Sequence, residues 1–225
     1  GNFTFLVGVA AAAVLLVIPA YVYQWKPIKE VVLLGELLAI SALAMCLLFV
    51  TVDIGRPDRM LHLVPFFGTP NWPASLLAWD ALVLNVYLLL NLVLVGYILF
   101  KAYRGEPTSN RILVPLVLAS IPVAISTHTV TAFLYNGMAS RPYWNASILA
   151  PRFIASAFCS GPAVMLILFQ ILRKTVRLPI KDEAISKVAE LMAYAMFLNL
   201  FLLGAEVFKE FYSATEHTLY TRYLW

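Results

Sequence analysis

Residues 31–52 read VVLLGELLAISALAMCLLFVTV, twenty-two positions with one charged side chain, Glu36. As a helix rising 1.5 Å per residue, such a run is about 33 Å long, enough to cross roughly 30 Å of hydrocarbon. No soluble core needs a stretch of that length and apolarity, so it sets the reading of its surroundings. Breakers on either side divide the chain into further runs of the same kind at 3–23, 77–100, 112–136, 148–172 and 185–211. The expected fold is an all-α integral membrane protein, a single transmembrane domain over 1–225 made of about six helices. Pro19, Pro115, Pro122 and Pro162 fall inside these spans. Neighbouring helices in a membrane re-satisfy the carbonyls that proline frees, so kinks are expected there.

Composition agrees with that reading: 62% of the residues are apolar and 12% charged, against roughly 45–50% and about 25% in an ordinary soluble domain. The formal charge of +4 is carried in short loops, with no basic stripe interleaved with aromatics, and so reports topology rather than nucleic-acid binding. Of the sixteen Lys and Arg, ten fall on one side of the membrane (Lys26, Lys29, Lys101, Arg104, Arg111, Arg173, Lys174, Arg177, Lys181 and Lys187). The other side holds Arg56, Arg59, Arg141, Arg152, Lys209 and Arg222. The first side is expected to be cytoplasmic. Loops 53–78 and 137–147 and the C-terminal segment are then outside, with Trp72, Trp79, Tyr143, Trp144, Tyr212, Tyr220, Tyr223 and Trp225. These aromatics read as an interfacial belt or as a docking surface for a partner. Cys46 and Cys159, in apolar runs and without metal-ligand spacing, read as small core residues. The sequence opens at Gly1 and enters an apolar run at once, so a trimmed N-terminus is expected.

An ionisable group inside a bilayer costs several kcal/mol unless paired or wetted, so each one needs a reason. His128 lies about 6 Å outward of the middle of its span by helical rise, with Thr131 and Tyr135 at i+3 and i+7 on the same face. That face suits a ligand with carbonyl or hydroxyl groups; a histidine bonded between helices is an equal alternative. Asp80 opens a face that continues through Leu84, Tyr87 and Asn91, and reads either as a ligand group or as a carboxylate at a helix N-terminus. Arg152 and Glu206 fall in the same outer half, which makes a shared polar pocket the expected arrangement. Glu36 and Glu190 lie one to two turns inside the other ends of their spans. They read as snorkelling side chains or as the inner end of a proton path. His62 and His217 lie outside the spans, so a bis-histidine haem is not expected, nor is an iron–sulfur cluster.

The string Asp53-Ile54-Gly55-Arg56-Pro57-Asp58-Arg59 directly after a span resembles the signature of the NrfD-like, or polysulfide-reductase membrane-subunit, family. So do Ala78-Trp79-Asp80, Ser126-Thr127-His128-Thr129-Val130, Arg141-Pro142, the run from Ala150 to Phe158, Ser160-Gly161-Pro162-Ala163, and Glu206 through Tyr212. Within the family the likeness is to the quinone-interacting membrane subunits of the DsrMKJOP complex and its relatives. The resemblance implies a haem-free membrane subunit of eight to ten helices, of which this chain shows six as a fragment. It also implies exchange of electrons between menaquinone and a ferredoxin-like iron–sulfur subunit outside the cytoplasm, with other membrane and cytochrome subunits in the complex and proton translocation as a further role. On that reading His128 and Asp80 are catalytic, and Thr131, Tyr135, Arg152 and Glu206 join them around the quinone. Asp53, Arg56, Asp58 and Arg59 shape the loop over the site. A secondary transporter and a purely structural anchor are the rival readings, and paired broken helices, the mark of the former, are missing from the sequence.

Overall fold

The computed structural model describes residues 1–63, 67–138, 140, 142–213 and 218–224. Arg141, His217 and Trp225 lie outside them. Among the described residues six helices are long and apolar enough to cross a membrane: α1 (Asn2–Val22), α2 (Val32–Asp53), α3 (Leu76–Tyr103), α4 (Asn110–Asn136), α5 (Leu149–Thr175) and α6 (Asp182–Ser213). Their ends differ from the sequence spans by at most three residues, as at Tyr103 against 100 and Thr175 against 172. Length and apolarity alone place helix ends this well because in lipid the backbone must bond to itself for as long as it stays in hydrocarbon.

Consecutive helices run in opposite directions, and α1 is the centre of the bundle. In α1 67% of the apolar window is buried, against 6% in α6. α2, α4 and α5 pack on α1, α3 bridges α2 and α4, and α6 leans on α5 from outside. The central position follows from small side chains. Ala10 through Ala13 are all buried, and Gly8 and Ala12 meet Ala157 and Gly161 across the α1–α5 contact. A Cβ on Gly8 would lie 3.6 Å from the Ala157 Cα, and one on Gly161 would be 3.3 Å from the Gly8 carbonyl and overlap Ala12. Without water to drive helices together, such close backbone approach supplies the dispersion contact that holds them.

Proline acts differently in the two settings. The helices continue unbroken through Pro115, Pro122 and Pro162, whereas Pro19 lies in a π-turn over Ile18–Val22. There the Tyr23 N–H reaches back to the Ile18 carbonyl at 3.3 Å and the Trp25 N–H to the Pro19 carbonyl at 3.0 Å. The wider turn takes up carbonyls that an α-turn would leave bare. At the same basic end of the bundle, Lys181 pairs with Glu30 at 2.5 Å and Arg173 with Asp182. Hydrogen bonding to the Glu30 carboxylate holds the Lys181 ammonium above its ordinary pKa.

Candidate functional site

A cavity of about 570 Å³ lies at the end of the bundle opposite the basic loops, between α2 and α3. Leu47 and Val50 of α2 and Asp80, Leu84 and Asn85 of α3 form its walls, and Met60, Leu63, Pro70 and Trp72 cover it. The cover is built by local chemistry. Gly55 has φ +77, a left-handed conformation glycine enters freely, and it turns the chain away from α2. Pro57 then starts a 3-10 turn, Pro57–Leu63, in which the Arg59 N–H donates to the Arg56 carbonyl at 3.0 Å. The Thr51 hydroxyl, which donates to the Leu47 carbonyl at 2.7 Å, touches Met60 Sδ, setting the turn back against α2. Trp72 lies against Trp79 with ring centroids 3.7 Å apart, and the Trp79 indole N–H donates to the Pro73 carbonyl at 2.9 Å. Ser75 caps α3 by accepting from the Ala78 N–H at 3.3 Å.

Asp80, Leu84, Tyr87 and Asn91 are all buried along one face of α3, as their spacing predicts. The Thr131 hydroxyl on α4 donates to Asp80 Oδ1 at 2.7 Å. Both residues are closed to solvent, at 1% and 0% exposure. His128 lies one turn back from Thr131 on the same buried face, and its Nε2 has no hydrogen-bond partner among the described residues. The Tyr135 hydroxyl turns instead to Thr4 Oγ1 at 2.5 Å, and its ring meets Trp144 edge-on at 5.1 Å and Phe153 at 5.7 Å. Arg152 forms an ion pair with Glu206 between α5 and α6, and Glu210 pairs with Lys209 at 2.9 Å. The expected shared pocket is thus divided. Asp80 lines the cavity with Thr131 behind it, His128 is next along α4, and Tyr135 and the Arg152–Glu206 pair belong to separate contacts.

The two inner carboxylates also part company. Glu36 is 2% exposed and its Oε2 has no partner among the described residues. Glu190 is on the outer face of α6, held by Lys187 at 2.7 Å and by the Tyr194 hydroxyl at 3.0 Å. The two therefore do not face each other, Glu36 being inside the bundle and Glu190 on its outer face. Equal depth by helical rise fixes position along the axis but not direction around it. Of the loop signature, Arg56 pairs with Asp58 at 3.2 Å with both side chains open to solvent, while Asp53 and Arg59 are exposed without an ion pair among the described residues.

Met60, Leu63, Pro70, Trp72 and Asn85 line the cavity but carry no signal in the periodic reading. Only the tryptophan stands out in the sequence, as part of the aromatic belt. A drug-sized ligand site is an apolar concavity of roughly 300–1,000 Å³ with few polar groups, and this one fits. A flat ring with a carbonyl or hydroxyl could point it at Asp80 and lie against Trp72, with an apolar tail along α2 and α3.

The family model described as polysulphide reductase, NrfD matches residues 2–225. A selenate reductase subunit of Mesobacillus selenatarsenatis is 25% identical over 96% of this chain and 57% of its own length. The Hdr-like menaquinol oxidoreductase integral membrane subunit of Archaeoglobus fulgidus is 20% identical over 95% of this chain and 51% of its own length. The chain spans about half the length of the curated relatives it matches.

Proposed function

The chain belongs to the NrfD polysulphide reductase family, and we propose that within it this chain is the menaquinone-interacting, haem-free membrane subunit of a respiratory oxidoreductase complex. Its relatives are membrane subunits of reductase or menaquinol oxidoreductase complexes, so it works with other subunits. In the proposed arrangement these include an iron–sulfur subunit docked outside the cytoplasm, over the cavity end of the bundle, and cytochrome-bearing and further membrane subunits beside it. The observation that carries the reading is the cavity with one carboxylate in its wall. A quinol bound there supplies two electrons and two protons, and the residues of this chain manage the protons. Asp80 accepts a hydroxyl proton, and Thr131 fixes the carboxylate's direction by donating to Oδ1. His128, buried beside Thr131 on α4, is the next acceptor. Met60 and Trp72 exclude water and hold the ring plane, and the apolar wall along α2 and α3 takes the prenyl tail. Electrons pass to the partner, and proton translocation accompanies the transfer.

The test is made on the purified complex. Asp80→Asn should lower menaquinol oxidation about 100-fold or more, the span expected of a general base being 10²–10⁴, and Trp72→Ala should weaken binding of a naphthoquinone analogue. Normal assembly with activity within twofold of wild type in Asp80→Asn would refute the assignment.

A further inference from the structure

At the basic end of the bundle, far from the cavity, a second concavity of about 330 Å³ lies between the 24–28 segment and the start of α6. The chain leaves α1 through Tyr23 and Gln24 and makes one helical turn, Lys26–Lys29, which packs on α6. Gln24 has φ +51, a left-handed conformation that is sparsely populated outside glycine and recurs at ligand clamps. Gln24, Trp25 and Lys26 form one wall of the concavity, and Glu183 and Lys187 of α6 form the other. The Lys187 ammonium lies 5.6 Å from the centre of the Trp25 ring, within reach of a cation–π contact.

The charges in these walls differ from those around them. Five carboxylates stand at the basic end: Glu30, Glu106, Asp182, Glu183 and Glu190. Four are ion-paired, with Lys181, Lys101, Arg173 and Lys187 respectively. Glu183 has no ion pair among the described residues, and Lys26, in the same concavity, has none either. Opposite charges that share a concavity without pairing suit a ligand that carries both signs, its anion at the lysine and its cation at the carboxylate. With Glu190 set against Lys187 the site is neutral, which favours a zwitterion over a simple anion.

A track for an apolar tail leads away from the same place. Tyr194 and Phe201 follow Lys187 at i+7 and i+14 on α6, within about 40° of one face at 3.6 residues per turn. With Phe197 beside them they are exposed by 62%, 70% and 73%. Phe197 lies about 15 Å from Lys187 by helical rise, half of the roughly 30 Å hydrocarbon core and so the depth of one leaflet. Basic concavities between membrane helices at this level are places where lipid head groups lodge.

We infer that the concavity binds one phospholipid with an amine head group, of the phosphatidylethanolamine type. Its phosphate lies against Lys26 and the Gln24 amide, its ammonium against Glu183, and its acyl chains along Tyr194 and Phe197. Trp25 and Lys187 close the side of the site. The lipid bridges the 24–28 segment and α6, and its binding is independent of what the Asp80 cavity holds.

The test uses the intact complex, stripped of lipid in detergent and titrated with phosphatidylethanolamine or phosphatidylglycerol, with bound lipid counted by native mass spectrometry. Wild type should bind one phosphatidylethanolamine about tenfold more tightly than phosphatidylglycerol, and Lys26→Gln should weaken that binding about tenfold. Glu183→Gln should erase the preference by weakening phosphatidylethanolamine alone. Lys26 and Glu183 are both exposed, so these variants should fold and assemble as wild type does. Lys29→Gln, exposed on the same turn but outside the concavity, should change neither affinity. Equal binding of the two lipids in wild type, or a preference that survives Glu183→Gln, would overturn the head-group assignment. A loss in Lys29→Gln as large as that in Lys26→Gln would reduce the site to diffuse attraction toward the basic end and overturn it as well. Free phosphoethanolamine at the same concentration should leave the lipid in place, because it lacks the chains. Displacement by it would assign the concavity to a soluble zwitterion and end the lipid reading.

Discussion

The Thr131–Asp80 hydrogen bond allows the charge state of the cavity carboxylate to be weighed. Removing the hydroxyl in Thr131→Val keeps the shape of the side chain and leaves Asp80 Oδ1 without its donor. Both residues are closed to solvent, so water cannot replace the bond cheaply. A neutral hydrogen bond between membrane helices averages about 0.6 kcal/mol in double-mutant cycles, whereas a bond to a charged group is worth about 1.5–3 kcal/mol. The 2.7 Å separation suits a charge-assisted bond. A base that accepts the quinol proton must begin the step ionised, so the expected coupling between Thr131→Val and Asp80→Ala is in the upper range. At 1.4 kcal/mol per decade, the folding equilibrium of the double variant then falls about 10- to 100-fold less than the sum of the single effects, because either change alone already breaks the bond. The cycle is measured by reversible unfolding in mixed micelles above neutral pH, followed by tryptophan fluorescence. Additive single and double variants, or a coupling near 0.6 kcal/mol, would mean that Asp80 is neutral at rest and would remove it as the first proton acceptor.

His128→Gln, which keeps a hydrogen-bonding side chain but loses the base, should lower menaquinol oxidation by 10²–10⁴ with assembly intact; a change under twofold would assign the histidine to packing. Arg56→Ala removes an ion pair whose partners are both about 60% exposed, and should alter stability by less than about 1 kcal/mol. A larger loss in thermal unfolding would show that the loop holds more than its own turn. Gly161→Val places side-chain atoms where Ala12 and the Gly8 carbonyl already are. It should cost at least the 1–3 kcal/mol of core overpacking, read as loss of the monodisperse peak in detergent chromatography. Gly204→Ala, where a Cβ meets nothing within 4 Å, is the control.

Axial information was legible in the sequence, and radial information was not. The spans follow from apolar run length, and the buried face of α3 from the spacing of Asp80, Leu84, Tyr87 and Asn91. A membrane helix is apolar toward lipid and core alike, so nothing marked Glu36 as inward and Glu190 as outward until their neighbours were placed. The cavity itself was hidden for another reason. Its cover is irregular chain around Met60 and Trp72, and the turn chemistry of Gly55 and Pro57 announces a reversal of direction without saying what lies beneath it. The Arg152–Glu206 pair joins two residues that the sequence had put in the same half of the membrane. Only the leaning of α6 on α5 brought them together, away from Asp80.

The central place of α1 bears on biogenesis. It is the first of these six helices to leave the ribosome, yet its tightest contact, Gly8 and Ala12 on Ala157 and Gly161, waits for a segment synthesised 149 residues later (157 − 8). Until α5 arrives, the Ala-rich flank of α1 faces lipid, and α2, then α4, are the neighbours already made that will remain beside it. A hairpin of α1 and α2 is therefore the natural intermediate at the translocon. The α1–α5 contact closes the bundle late, and a chaperone that shields small-residue helix surfaces would act in that interval.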